Sequence, residues 1–245
     1  MRWVELDVRG IEMTGYPFGL PVVTALREHG RLVLDPGVTL LTGDNGTGKS
    51  TLVEAVAAAA GFNPEGGSKS FRFATRATES DLGQHLRLTW APCKPRTSFF
   101  LRAESFYNVA TEVETLEETD PGLIASSYGG RSLHERSHGE SFLALAVYRF
   151  GPGGLYLLDE PESALSMQGC LALLRRINDL VAAGSQFILA THSPILLAYP
   201  NATIYQISAA GTLDKVDYDD IDAVRLHRDF LADPERYLHY LFTDE

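Results

Sequence analysis

Gly43-Asp44-Asn45-Gly46-Thr47-Gly48-Lys49-Ser50 is spaced as a loop that wraps phosphate. Its glycines let the backbone curl so that successive N–H groups point inward at phosphate oxygens. A helix starting just after the loop adds the positive end of its dipole. The Lys49 ammonium suits the β- and γ-phosphates of a nucleotide, the Ser50 hydroxyl suits Mg²⁺, and Thr51 is in reach of the α-phosphate. A second constellation closes the apolar run Leu155-Tyr156-Leu157-Leu158: the acids Asp159-Glu160. Asp159 suits the metal, and Glu160 is placed to orient or deprotonate an attacking water. Thr191-His192-Ser193-Pro194 follows a third apolar run, Gln186 to Ala190, and His192 is suited to a hydrogen bond with the γ-phosphate.

These groups need elements that hold them at one mouth. Val38 to Thr42 is short, apolar and β-branched, which predicts a buried strand ahead of the loop. Thr51 to Ala60 is Ala-rich and predicts a helix stopped by Gly61. Leu155–Leu158 and Gln186–Ala190 predict two further buried strands, separated by a helix over Leu165–Ala182. Strands alternating with helices predict an α/β fold with a mostly parallel sheet, whose ligands bind at the carboxyl ends of the strands. Trp3 to Val8 alternates as a strand, and Val22 to Glu28 predicts a short helix opened by Pro21. Leu86–Trp90 and Ser98–Arg102 read as two strands of a hairpin-like unit, and Ser105 to Glu118 as an acidic helix. The tail from Asp219 reads as two polar helices broken at Asp233-Pro234.

The 245 residues suffice for a large core without staples. With 44% apolar and 22% charged residues, a disordered or fibrous chain is excluded. Lys plus Arg is 21 against 32 Asp plus Glu, a net charge of −11, which argues against a surface that coats nucleic acid throughout. The longest apolar run, Ala55 to Phe62, is far short of the roughly 20 residues of a membrane helix, so no membrane insertion is expected. The N-terminus alternates apolar and charged residues and does not read as a secretory signal. Two cysteines outside any CxxC pair suggest neither a disulfide framework nor structural zinc, and the expected location is the cytoplasm.

In this order the motifs resemble those of the ATP-binding cassette (ABC-type) ATPases. Arg136-Ser137-His138-Gly139-Glu140-Ser141, opening the apolar helix Phe142 to Phe150, resembles that family's signature segment, usually Leu-Ser-Gly-Gly-Gln. The resemblance implies ATP hydrolysis with Mg²⁺, an antiparallel β-lobe, and one domain over 1–245 with an inserted helical lobe over about 105–150. It also implies an ATP-sandwiched homodimer acting as a conformational switch. There Ser137, Gly139 and Glu140 would meet the γ-phosphate held by the other chain. Glu140 is acidic where the family usually has Gln. Ser163-Ala164-Leu165-Ser166 resembles the family's interface loop, with Ser166 in the place of Asp. Glu104 is the candidate for the metal- and water-sensing Gln at a strand end, and Tyr16 or Phe18 for stacking on adenine.

Only 88 positions separate Lys49 from Ser137, too few for the long arm of SMC-type ATPases, although the head resembles theirs. From about Val4 to Tyr240 the chain is similar to small stand-alone bacterial-type AAA/ABC ATPases. Other roles consistent with the chemistry are energy coupling in a transporter, or gating of a nucleic-acid-processing or effector partner. Lys69, Arg72, Arg76, Lys94, Arg96 and Arg102 stand among Phe71, Phe73, Trp90 and Phe99, and basic residues interleaved with aromatics suit a nucleic-acid groove.

Overall fold

The computed structural model describes residues 1–9, 14–63, 66–67, 81–119 and 121–243. Strand β1 (Trp3–Leu6) leads to helix α1 (Pro21–His29), whose Pro21 sits in the first turn, where no N–H is needed. β2 (Arg31–Val33) pairs antiparallel with β1. β3 (Val38–Gly43) runs through the loop into α2 (Lys49–Ala59). β4 (Leu86–Thr89) pairs antiparallel with the other edge of β1, so a three-stranded sheet of order β2-β1-β4 forms the antiparallel lobe. β5 (Ser98–Arg102) is followed by three helices, α3 (Phe106–Thr119), α4 (Leu123–Ser127) and α5 (His138–Tyr148). Then come β6 (Leu155–Asp159), α6 (Met167–Ala182), β7 (Gln186–Ala190), α7 (Pro194–Leu197), β8 (Thr203–Ile207) and β9 (Leu213–Val216). Helices α8 (Asp222–Ala232) and α9 (Pro234–Phe242) end the described chain.

The main sheet has the order β5-β6-β7-β3-β8-β9, parallel except for β9, which returns antiparallel on β8. Both faces are covered, and the strand residues alternate between the two cores. Leu101, Tyr156, Leu158, Phe187 and Leu189 join Phe142, Leu145, Leu173 and Ile177 on one face. Phe100, Leu155, Leu157, Ile188 and Ala190 join Val22, Leu26, Leu52 and Val56 on the other. A strand buried on both faces reads as a continuous apolar run, which explains why these three runs were legible.

One expectation is corrected. Leu86–Trp90 and Ser98–Arg102 do not form a hairpin: β4 belongs to the small sheet, while β5 lies parallel to β6, with Ser98 opposite Leu155 and Arg102 opposite Asp159. Phe99 and Phe100 point to opposite faces and both are buried, which an exposed two-stranded unit cannot provide. The long helix starts at Met167 rather than Leu165, because the Ser166 hydroxyl caps it by accepting from the Gly169 N–H at 3.2 Å. The tail forms two helices broken at Asp233, as the sequence predicts, but they are not simply polar: Leu226, Leu231, Tyr240, Leu241 and Phe242 are exposed.

Candidate functional site

The phosphate-type loop joins β3, at the middle of the sheet, to α2. Gly43 has φ 138°, and a Cβ there would lie 2.1 Å from the Ile207 carbonyl oxygen, so only glycine lets β3 pass β8 this closely. Gly48 has φ 92°, and a Cβ there would lie 2.7 Å from Val22 Cγ1. The loop is tied down through its carbonyls: the Val22 N–H of α1 donates to the Thr47 carbonyl at 2.9 Å, and the Thr47 hydroxyl to the Asp44 carbonyl at 2.8 Å. Asp44, Asn45 and Gly46 form its exposed rim. No side chain caps α2, and no acid lies in its first turn, so the first N–H groups of Lys49, Ser50 and Thr51 face the loop mouth without a competing carboxylate. Lys49 is buried, and its Nζ donates to the Gly43 and Asp44 carbonyls at 2.9 and 2.8 Å. Burial pulls its pKa below the usual lysine range, against the opposing pull of Glu160, Asp44 and Asp159.

β6 delivers Asp159 and Glu160 to the same mouth. Asp159 is buried, and burial pushes its pKa up to about 6, although the Ser50 side chain bonds it and Arg102 stands beside it. Its Oδ1 has no hydrogen-bond partner. A buried orphan carboxylate oxygen beside the Ser50 hydroxyl fits a hard divalent cation that also takes oxygens from phosphate. Among the described residues no cluster of three or more His, Cys, Asp or Glu would hold a metal by itself. Glu160 adopts a left-handed backbone, φ 46°, with its N–H donating to the Ala190 carbonyl at 3.0 Å. A non-glycine residue held there is strained, and such strain concentrates where a side chain must be aimed. Glu160 Oε1 lies 3.6 Å from His192 Nε2. Burial, then the Lys49 charge, lowers the His192 pKa, so the imidazole is neutral near pH 7.

Two contributors were not read from the sequence as site residues. Glu162 reaches across 30 positions: its Oε1 accepts from the His192 N–H at 2.5 Å and the Ser193 N–H at 3.1 Å, fixing the His192 loop. Arg102, at the end of β5, lies 3.4 Å from Asp159 through Nε, and 3.2 Å from both Glu54 and Glu104.

The chain matches two family models: "AAA domain" over residues 25–104, and "AAA domain, putative AbiEii toxin, Type IV TA system" over residues 131–198. The first spans the loop and β5, the second the α5 start, the carboxylates and His192. Both models are of AAA domains, and the fold that carries them is α/β with a mostly parallel sheet. Among solved structures, the chain is similar to an SMC head domain from Thermotoga maritima, at 16% identity over 88% of this chain and 98% of that one, TM-score 0.46. It is also similar to an ATP-binding cassette of an ABC transporter in its ADP conformation, at 17% identity over 87% and 91%, TM-score 0.42. Likenesses at this level carry nothing about activity or partners. The comparison with curated proteins gave no match.

The remaining expected site residues fall in different places. Ser137 is the N-cap of α5, and Glu140 closes a capping box on it: the Glu140 carboxylate accepts from the Ser137 N–H at 2.9 Å and its hydroxyl at 2.7 Å. Those hydrogen bonds hold the Glu140 carboxyl below the usual range. Gly139 packs against the Ala164 carbonyl, where a Cβ would come within 3.0 Å. Arg136, which departs from the family signature, donates to the Tyr128 and Gly129 carbonyls at 3.2 Å behind α4. Glu104 is exposed and pairs with Arg102, so the side chain from this strand end that contacts Asp159 is Arg102. Tyr16 is exposed, while Phe18 is half-buried edge-on against His85.

Lys69, Arg72, Arg76, Phe71 and Phe73 lie outside the described residues. Of the rest of that basic-aromatic grouping, Lys94 and Arg96 are exposed, Phe99 is in the core and Arg102 is engaged by acids. No helix among the described residues is long and apolar enough to cross a membrane.

Proposed function

We propose that this chain, as one domain over 1–245, binds ATP with Mg²⁺ and hydrolyses it to ADP and phosphate. Two copies would sandwich two nucleotides and open after hydrolysis. The observation that carries this reading is the convergence of Lys49, Asp159-Glu160 and His192 from β3, β6 and β7, three adjacent parallel strands, with Glu160 3.6 Å from His192. Amides of the Gly43–Ser50 loop grip the phosphates, and the Lys49 ammonium moves from loop carbonyls to phosphate oxygens. Ser50 and Asp159 would hold Mg²⁺, which neutralises charge on the phosphates. Glu160 accepts the proton of the attacking water as its oxygen bonds to the γ-phosphorus and the bond to the ADP oxygen breaks. Neutral His192, fixed through Glu162, hydrogen-bonds the γ-phosphate. In trans, the α5 start with Ser137 and Gly139 would complete the shell around that phosphate. Loss of these contacts with the leaving phosphate opens the dimer.

The test is Glu160→Gln. It is expected to bind ATP, to lose about 10²- to 10⁴-fold in turnover, the usual contribution of a general base, and to accumulate an ATP-bound dimer on size exclusion. A variant that turns over normally, or stays monomeric at saturating ATP, contradicts the reading. The wording of the second family model, a type IV toxin–antitoxin system, favours as a second reading an ATPase that gates an effector protein. Stimulation of ATP turnover by a chain encoded beside it would support that reading, and stimulation by DNA, RNA or a membrane transporter partner would replace it.

A further inference from the structure

Arg102 occupies the position from which a strand-end side chain reaches the metal corner of the site. β5 and β6 are parallel neighbours, and their register sets Arg102 directly opposite Asp159. The guanidinium side chain is 19% exposed and lies among three carboxylates. Nη1 bonds Glu54 on α2 and Nη2 bonds Glu104 in the turn after β5, both at 3.2 Å. Nε stands 3.4 Å from Asp159 Oδ2, but makes no hydrogen bond, and Asp159 Oδ1 has no partner either. The two terminal nitrogens are therefore anchored elsewhere, and the hold on Asp159 is charge alone. A guanidinium does not give up its proton in a protein, so its charge is permanent. In a partly buried corner, a second cation arriving at the same carboxylate is repelled strongly.

We propose that Arg102 is a built-in counter-cation that occupies the electrostatic place of the metal and makes divalent-cation binding at Asp159 conditional on nucleotide. The proposal rests on the ATPase reading of the site. Without a triphosphate, the Arg102 charge stands against Asp159 and a free divalent ion is excluded. With a triphosphate bound, the added negative charge offsets the repulsion, and Arg102 is retained by Glu54 and Glu104 alone. Arg102 thus acts as a positioning residue, through Asp159, and it links α2, β5 and β6 at the point where the metal enters.

The experiment titrates Mn²⁺ alone, with no nucleotide, and reads bound Mn²⁺ by electron paramagnetic resonance. Arg102→Gln is expected to bind Mn²⁺ about tenfold or more tightly than the wild type, because the competing charge is gone. The gain is expected to vanish in R102Q combined with D159N. Equal Mn²⁺ affinity in wild type and R102Q overturns the proposal, as does a gain that survives D159N. If R102Q does not fold, Glu104→Gln decides. Its side chain is 84% exposed, and its loss leaves Arg102 more firmly on Asp159. Mn²⁺·ATP affinity is then expected to fall about threefold with metal-free ATP affinity unchanged; an unaltered Mn²⁺·ATP affinity overturns the proposal. Binding of Mg²⁺·ATP by the wild type separates the two ideas: its absence sinks the ATPase reading, while the nucleotide-free Mn²⁺ result still decides Arg102.

Discussion

Two helix N-termini in this molecule use the same physical resource in opposite ways. α2 begins at Gly48 with no side-chain cap and no acid in its first turn. α5 begins at Ser137 with a full capping box closed by Glu140. Unpaired N–H groups and the positive dipole end make any helix start an anion site, unless the chain supplies its own anion. α2 is left open behind a backbone-braced loop, and it trades local stability for a place to bind phosphate. α5 is already satisfied by a carboxylate of its own first turn. The lesson is that the α2 start is open to an anion, whereas the α5 start would have to displace, or work around, Glu140 before meeting a phosphate in trans as proposed.

The comparison can be broken from the α2 side. Lys49→Ala removes the ammonium proposed to turn from loop carbonyls to phosphate, and ATP affinity measured by calorimetry is expected to drop at least about a hundredfold, roughly two charge-assisted hydrogen bonds. An unchanged affinity would end the assignment of Lys49. Next in size is the metal corner. Asp159 titrates near 6 in the fold against 3.8 for the free group, so its ionised form destabilises the fold. That penalty is absent below about pH 3.8 and complete above about pH 6, worth about 3 kcal/mol by linkage. Asp159→Asn is therefore expected to raise the melting temperature by several degrees at pH 7.5, with the gain shrinking towards pH 4. A gain independent of pH would show that ionisation is not its source.

Two changes convert one helix start towards the other. Thr51→Glu places an acid in the first turn of α2, making it resemble α5, and is expected to weaken ATP binding about tenfold through repulsion of the phosphates. Glu140→Gln keeps a side chain able to close the capping box but removes its charge. In the E160Q background it is expected to tighten the ATP-bound dimer about two- to fivefold in light scattering, the scale of one helix-terminal charge. A weaker dimer would mean that the Glu140 charge assists the trans contact instead of opposing it.

The α2 side of this comparison was legible in the sequence because its signals are local. A strand, eight loop residues and a helix follow one another, and Asp159-Glu160 and His192 each end an apolar run that reads as a buried strand. The α5 side was half legible. Ser137-His138-Gly139-Glu140 read only as resembling a phosphate-facing signature, and the observed Glu140–Ser137 bonds show that the acid closes a capping box. Arg102 and Glu162 were missed because their partners are remote in the chain. Arg102 meets Asp159 only because β5 is parallel to β6, a pairing that a hairpin reading of Leu86–Arg102 precludes. Glu162 meets the His192 loop 30 residues later. β8 and β9 escaped notice because Thr203–Ile207 and Leu213–Val216 are short, mixed polar and apolar runs, β9 at the sheet edge.

The central claim, that the open start of α2 with its loop is the triphosphate site, is tested most directly by titrating a fluorescent ATP analogue with Mg²⁺ into the wild type and K49A side by side. The account predicts saturable binding to the wild type, competed by unlabelled ATP, and its loss in a K49A protein that melts as a folded chain. Equal binding by the two proteins, or none by the wild type, would contradict it.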